Sequence, residues 1–256
     1  MRVLLDYTFG TSPGKAIRNL DELAKHFEPY GIAGTTVIND EWERYQPFNP
    51  ENFVFTPHSL DLTATIPKKG GLFPGGIHSG QIWSKQTFQP GRTGHSAYAF
   101  DVRMRIPAGR GMWPAFWLYA KSGMPGMNDG SEIDHPEFFN MSTQNELDWT
   151  GYSHGPGVGD SIYSITQKGI WHPRTNFSAD YHNYQTLWMQ DAVYKYVDGK
   201  LVDARRFKWT SRGAAQFGAD LAVGSSNPNM PGLKPTSEKQ FPSALSIEYI
   251  RVLAAD

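Results

Sequence analysis

The chain contains no cysteine. That removes disulfide scaffolds, thiol nucleophiles and thiolate metal sites at once. No apolar run approaches the ~20 residues needed to span a bilayer. Charge of one sign is also missing: the formal net charge is −1, so there is no basic footprint for nucleic acid. There is no internal repeat, low-complexity tract or Pro/Ser-rich linker, and the 256 residues read as a single domain, residues 1–256. The opening Met1-Arg2-Val3-Leu4-Leu5-Asp6 offers one cation and three apolar residues before an acid. That is too short for the apolar core of a signal peptide. The expectation from this end is a cytoplasmic protein, or one whose leader is absent from the sequence.

What the chain does have is turns and rings. Its 26 glycines and 18 prolines punctuate it often, and aromatics reach 14%, with 8 Trp and 12 Tyr. Two readings of the tryptophans stand side by side: an aromatic core, or a cleft in which indole faces stack on sugars. One helix is predicted over Asn19–Phe27, where Leu20, Leu23, Ala24 and Phe27 recur at helical spacing. Elsewhere the period is two. Val102, Met104 and Ile106 alternate with Asp101, Arg103 and Arg105. Tyr194, Tyr196 and Asp198 alternate with Val193, Lys195 and Val197, and Asp198-Gly199 supplies a tight hairpin turn. Short alternating strands between Gly/Pro/Asn turns predict an all-β antiparallel sandwich.

The segment Ser131-Glu132-Ile133-Asp134-His135-Pro136-Glu137-Phe138-Phe139 places three carboxylates within six residues. On a regular strand Glu132 and Asp134 share a face, and Glu137, five positions from Glu132, faces the other way. One extra residue, a β-bulge, returns Glu137 to the same face. Pro136 supports a bulge there, because proline lacks the N–H that a ladder bond needs. Two carboxylates on one face of a cleft are the minimum apparatus of a retaining or inverting glycosidase. A metal set of Asp134, His135 and Glu137 fits poorly, since alternation sends His135 to the opposite face.

The Glu-Ile-Asp-x-x-Glu pattern resembles the catalytic signature of glycoside hydrolase family 16, in the laminarinase- and agarase-like branch with the bulged strand. Lichenases of that family have one residue fewer before the second Glu. The resemblance runs through Asn39-Asp40-Glu41-Trp42, Ser79-Gly80-Gln81-Ile82-Trp83-Ser84-Lys85, Gly111-Met112-Trp113-Pro114-Ala115-Phe116-Trp117-Leu118, Tyr181-His182-Asn183-Tyr184, Leu221-Ala222-Val223-Gly224 and Ser246-Ile247-Glu248-Tyr249, in the family's order.

It implies a β-jelly roll (concanavalin A-like) with a concave substrate cleft, and a retaining endo-β-glycanase acting by double displacement. Glu132 would be the nucleophile, Glu137 the acid/base, and Asp134 the acid between them that tunes and orients the pair. Substrate contacts would come from Trp113 and Trp117, from His154 after the acids, and from Asn39. His182 reads as structural. Gln81 and Trp83 share a face and are read as further substrate contacts, with Trp83 a stacking platform, but they depart from the family, which commonly has an Arg on this strand. The family's Trp after Leu221-Ala222-Val223-Gly224 is replaced by Ser225, Ser226, Asn227, Pro228 and Asn229. The expected substrate is a β-1,3- or β-1,3/1,4-glucan.

A depolymerase of a branched bacterial exopolysaccharide is the alternative, suggested by Trp171, His172 and Arg174; a transglycosylase would carry the same triad. An inactive carbohydrate-binding jelly roll would have lost one of the acids. No cofactor is expected for catalysis. The resemblance does allow a structural calcium ion, with Glu248 where an Asp is usual. It further implies a monomer with a polysaccharide as its partner, and a secreted or periplasmic location.

Overall fold

The computed structural model describes residues 1–29, 37–38, 40–120, 132–139, 148–151, 153–154, 165–166, 175–209, 213–227 and 234–256; side chains are not described for 139, 148–151, 153–154 and 165–166. In chain order the strands are β1 (Arg2–Thr8), β2 (Phe27–Glu28), β3 (Glu43–Tyr45), β4 (Phe53–Phe55), β5 (Leu60–Ala64), β6 (Ile77–Ser79), β7 (Gln81–Ser84), β8 (Ala97–Arg105) and β9 (Met112–Ala120). They continue with β10 (Glu132–Phe139), β11 (Asp148–Gly151), β12 (Ser153–His154), β13 (Ile165–Thr166), β14 (His182–Met189), β15 (Ala192–Val197), β16 (Lys200–Arg206), β17 (Ala215–Val223) and β18 (Ser243–Ala255). The predicted helix, α1, spans Leu20–His26, and the Asn19 side chain caps it by accepting from Glu22 N at 2.9 Å.

Among the described residues the strands form two eight-stranded antiparallel sheets. The back sheet runs β16-β15-β14-β8-β18-β5-β4, with β1 also paired to β18. The front sheet runs β13-β11-β10-β9-β17-β7-β2, with β12 also paired to β10. A short parallel pair, β3 and β6, stands apart from both. The expected hairpin is present: β15 and β16 meet at Asp198 (φ 48°) and Gly199 (φ 75°), the left-handed conformations that a two-residue turn demands.

The core lies between the sheets and follows the period of two. From the back sheet come Phe100, Val102 and Met104 of β8, Tyr184 and Trp188 of β14, and Ile247, Ile250 and Val252 of β18. From the front sheet come Phe116 and Leu118 of β9, Ile133 and Phe138 of β10, and Phe217, Ala219 and Leu221 of β17. The alternate positions of β7 and β9, Trp83, Ala115 and Trp117, form a second, separate cluster on the other face of the front sheet. That outward face carries the site.

Candidate active site

The register of β10 against β9 shows how the three acids are aimed. Glu132 pairs with Tyr119, Ile133 with Leu118 and Asp134 with Trp117, but the next pair is Glu137 with Ala115. Three steps on β10 oppose two on β9, so one extra residue sits between Asp134 and Glu137. This is the predicted bulge, and the His135–Pro136 peptide within it is cis. Glu132, Asp134 and Glu137 therefore line one pocket together with Ile38, Glu41, Tyr45, Trp113, Ala115, Trp117, Asp220 and Ala222. His135 turns the other way, where its Nε2 donates to the Tyr196 carbonyl at 2.8 Å on the back sheet.

Around the acids the polar atoms are fixed. Trp113 Nε1 donates to Glu137 Oε1 at 2.8 Å. The second oxygen of Glu137 is buried and has no hydrogen-bond partner among the described residues. Trp117 Nε1 donates to Asp220 Oδ1 at 2.7 Å, and Tyr45 O–H donates to Asp220 Oδ2 at 2.7 Å. Asp220 thus ties the floor of the pocket to the strand that crosses its rim.

Beside it lie the buried carboxyls of Glu41 and Glu43, close enough to act on each other's protonation. Glu43 Oε2 also accepts from Val223 N at 2.7 Å. The segment that carries them runs along the end of β17: Glu41 bridges to Ser225, and Trp42 N bonds Val223 O at 3.1 Å.

Six carboxyls packed this closely cannot all ionise at neutral pH. Burial, then the charge of Asp134, pushes Glu132 well above the ordinary carboxylate range. Burial and Asp134 do the same to Glu137, against the pull of the Trp113 hydrogen bond. Burial lifts Asp134 to about 7 despite the opposing charge of Lys195. Burial also raises Asp220 to about 6, held back by Tyr45 and Trp117, and Glu43 to about 7. Glu41 rises through burial and the charge of Glu43. Such a site holds protons at neutral pH, which is what general acid catalysis requires.

The other expected contacts divide. Trp113 and Trp117 line the pocket and are themselves largely buried, at 4% and 7% exposure. Gln81 and Trp83 lie on the expected face but offer almost no surface to a ligand, at 0% and 1% exposure. The reason for Trp83 is packing: its indole lies over Gly218 and meets Trp117 edge-on at 4.6 Å between centroids. A platform for sugar stacking needs an open face, and Trp83 instead buttresses Trp117 from beneath.

His154 stands opposite Glu132 in the register of β12, but its side chain is outside the described part. Asn39, and the loop carrying Trp171, His172 and Arg174, are outside the described residues. His182 Nδ1 is bonded to Asp198 Oδ2 at 2.7 Å, away from the pocket, in keeping with a structural role.

Glu248 sits at a register shift of β18, and its carboxylate accepts from Arg103 Nε at 2.8 Å. A guanidinium in direct contact opposes a second cation. No group of three His, Asp or Glu side chains among the described residues is arranged for a metal ion. Tyr45, Glu41, Glu43 and Asp220 were not singled out by the sequence. A lone acid inside the apolar run Leu221-Ala222-Val223 and Gly218-Ala219 was the available sign for Asp220, because a buried carboxylate needs partners.

A family model for glycosyl hydrolases family 16 matches residues 48–222. A glucan endo-1,3-β-glucosidase A1 of Niallia circulans is 29% identical over 169 residues, 59% of this chain and 23% of the relative. A β-glucanase of Rhodothermus marinus is 24% identical over 60% of this chain and 56% of its own length. The chain thus spans about a quarter to just over half of these curated relatives. Among solved structures, the laminarinase catalytic domain from Thermotoga maritima matches with a TM-score of 0.63 at 26% identity, covering 85% of this chain and 84% of that one. An endo-1,3-β-glucanase from Streptomyces sioyaensis matches with a TM-score of 0.72 at 19% identity, over 98% and 95%. The fold is the jelly-roll sandwich of these enzymes.

Proposed function

The chain belongs to glycosyl hydrolases family 16, and from that membership we propose an endo-acting β-glucanase that cleaves internal β-1,3 or mixed β-1,3/1,4 bonds with retention. The observation that carries the proposal is the bulged strand that aims Glu132, Asp134 and Glu137 into one pocket while one oxygen of Glu137 stays without a partner. The names of the relatives, a glucan endo-1,3-β-glucosidase and a β-glucanase, support a glucan as substrate.

In this reading Glu132 and Asp134 share a proton. With the proton on Asp134, the Glu132 carboxylate attacks the anomeric carbon. The C–O bond to the leaving sugar breaks as the unpartnered oxygen of Glu137 delivers its proton to that oxygen. Glu137, now ionised, takes a proton from water. The hydroxide equivalent attacks the same carbon from the opposite face and returns Glu132 as a free carboxylate. Two inversions give net retention. Trp113 serves twice, orienting Glu137 and lining the pocket that receives the sugar. Trp117, Asp220 and Tyr45 keep the floor rigid.

A polymeric glucan would be met outside the cytoplasm, so this reading puts the enzyme in the periplasm or the medium. No described helix is long and apolar enough to cross a membrane. The deciding experiment follows the digestion of laminarin and mixed-linkage glucan by NMR. New reducing ends should appear first as the β-anomer, before mutarotation. Initial α-anomer, or no release of oligosaccharides from either glucan, would overturn the proposal.

A further inference from the structure

One titratable side chain of the interior takes no part in the scheme above. Lys195 of β15 is 1% exposed, and it shares its strand face with Val193 and Val197, both buried. Its side chain therefore enters the space between the sheets. Its direct cross-strand neighbours are Thr186 of β14 and Asp203 of β16, both buried. Asp203 accepts from Arg205 Nε at 3.2 Å. A lysine in such a place gives up its hydration, and negative charge nearby must compensate if it is to stay protonated.

Asp203 supplies part of that charge. The remainder lies towards the front sheet. The bulge residue His135 reaches across the core to β15 and bonds the carbonyl of Tyr196, the residue next to Lys195, at 2.8 Å. A carbonyl can only accept, so the ring proton is on Nε2. Burial, then the charge of Lys195, pushes His135 down to about 3, so the ring adds no second positive charge. The catalytic strand thus rests, at its bulge, on the strand that carries the buried ammonium.

We propose that Lys195 is a positioning residue for the catalytic acids: its ammonium, sealed behind the bulge, offsets the negative charge gathered on the far side of β10 and sets the pH range in which those acids work. The groups on the pocket side are Glu132, Asp134 and Glu137 of β10, Asp220 of β17, and Glu41 and Glu43 beside it. On the core side the ammonium faces His135 of β10, Tyr184 and Thr186 of β14, and Asp203 and Arg205 of β16. Asp134 feels the ammonium most directly, and Glu137 feels it less. Without Lys195, burial and mutual repulsion would hold protons on these acids to higher pH. Through Asp134, the proton it shares with Glu132 would then be held over more of the neutral range.

The inference rests on the proposed roles of the acids, and its test has one arm that needs no substrate. The indole N–H of Trp113 donates to Glu137, so its proton–nitrogen resonance follows the titration of the acids. In Lys195→Met, which keeps the length and removes the charge, the midpoint of that titration should rise by roughly half a pH unit or more. The acid limb of kcat/KM should move up in step. Lys195→Arg should restore both. Lys195→Gln serves the same purpose should Lys195→Met not fold. A folded, uncharged variant whose indole titration and acid limb superimpose on those of the parent would overturn the inference. If the parent hydrolyses no glucan, the functional reading falls, and the indole titration still decides the role of Lys195.

Discussion

Trp113 and Glu137 sit 24 residues apart in sequence and are joined by a 2.8 Å hydrogen bond from indole N–H to carboxyl oxygen. The bond favours the ionised form of Glu137 and opposes the burial that raises it. The expected consequence is seen with Trp113→Phe, which keeps a ring and deletes the donor. The basic limb of the kcat/KM profile should move to higher pH by about one unit, the equivalent of one hydrogen bond to a charged group. An unmoved limb would show that the bond does not tune Glu137.

Replacing Glu132 by Gln removes the nucleophile at nearly constant volume. Glucan hydrolysis should fall by several powers of ten, because no other group can form the covalent intermediate. Near-normal turnover of Glu132→Gln in a reducing-sugar assay would remove Glu132 from that role.

Glu137→Ala separates the two halves of the reaction. Glucan, with a poor leaving group, should no longer be cleaved, whereas aryl glycosides that leave unaided should still glycosylate the enzyme. Azide should then rescue turnover and give a β-glycosyl azide. Equal loss on both substrates, or an α-azide, would reassign the residue.

Glu43 makes a prediction about stability rather than rate. Its carboxyl lies at about 7 in the folded chain against a reference value of 4.5. The folded state holds that proton the more tightly. The resulting stability is complete below about pH 4.5 and is lost as the pH climbs through 7. Glu43→Gln has no proton to lose, its oxygen can still accept from Val223 N, and its amide can donate to Glu41. It should therefore be more stable than the parent at pH 8, by on the order of 1–3 kcal/mol, with the gap closing towards pH 4. Melting curves that differ equally at both pH values would contradict the assignment.

Gly218 lies beneath Trp83. An added Cβ would come within 2.8 Å of three atoms of the indole, with Trp117 packed on the same ring system. Gly218→Ala should cost about 1–3 kcal/mol of stability, the usual range for overpacking. It should also raise KM for glucan by shifting Trp117. A variant with unchanged melting temperature and KM would mean that the indole pair moves freely.

The acid face was legible because it depends only on alternation and on one proline. Glu132, Asp134 and Glu137 need no long-range information beyond the odd spacing and Pro136, and the register with β9 agrees with them. Alternation put Trp113 and Trp117 on one face of their strand, and the family resemblance said that this face meets the cleft. Depth was not legible. Alternation put Gln81 and Trp83 on the right face, yet only the glycine at position 218, 135 residues away and paired with Trp83, lets that indole lie flat and disappear. Tyr45 reaches Asp220 across 175 residues, a contact that local pattern cannot announce. The period of two placed Lys195 with Val193 and Val197, on the buried side, and that conflict between residue type and face was the sign that it had work to do there.

The bulge also governs which deletions the active strand can survive. In an ordinary strand the loss of one residue swaps the face of everything beyond it. Here one residue of β9 stands against two of β10 between Asp134 and Glu137. Loss of either His135 or Pro136 would leave an even spacing, matched step for step by the partner strand, and Glu137 would still face the pocket. Loss of both would leave an odd spacing and turn Glu137 into the core. At this point of the gene a one-codon deletion is the conservative change and a two-codon deletion the destructive one, so chain length can vary by one residue here without any acid changing sides.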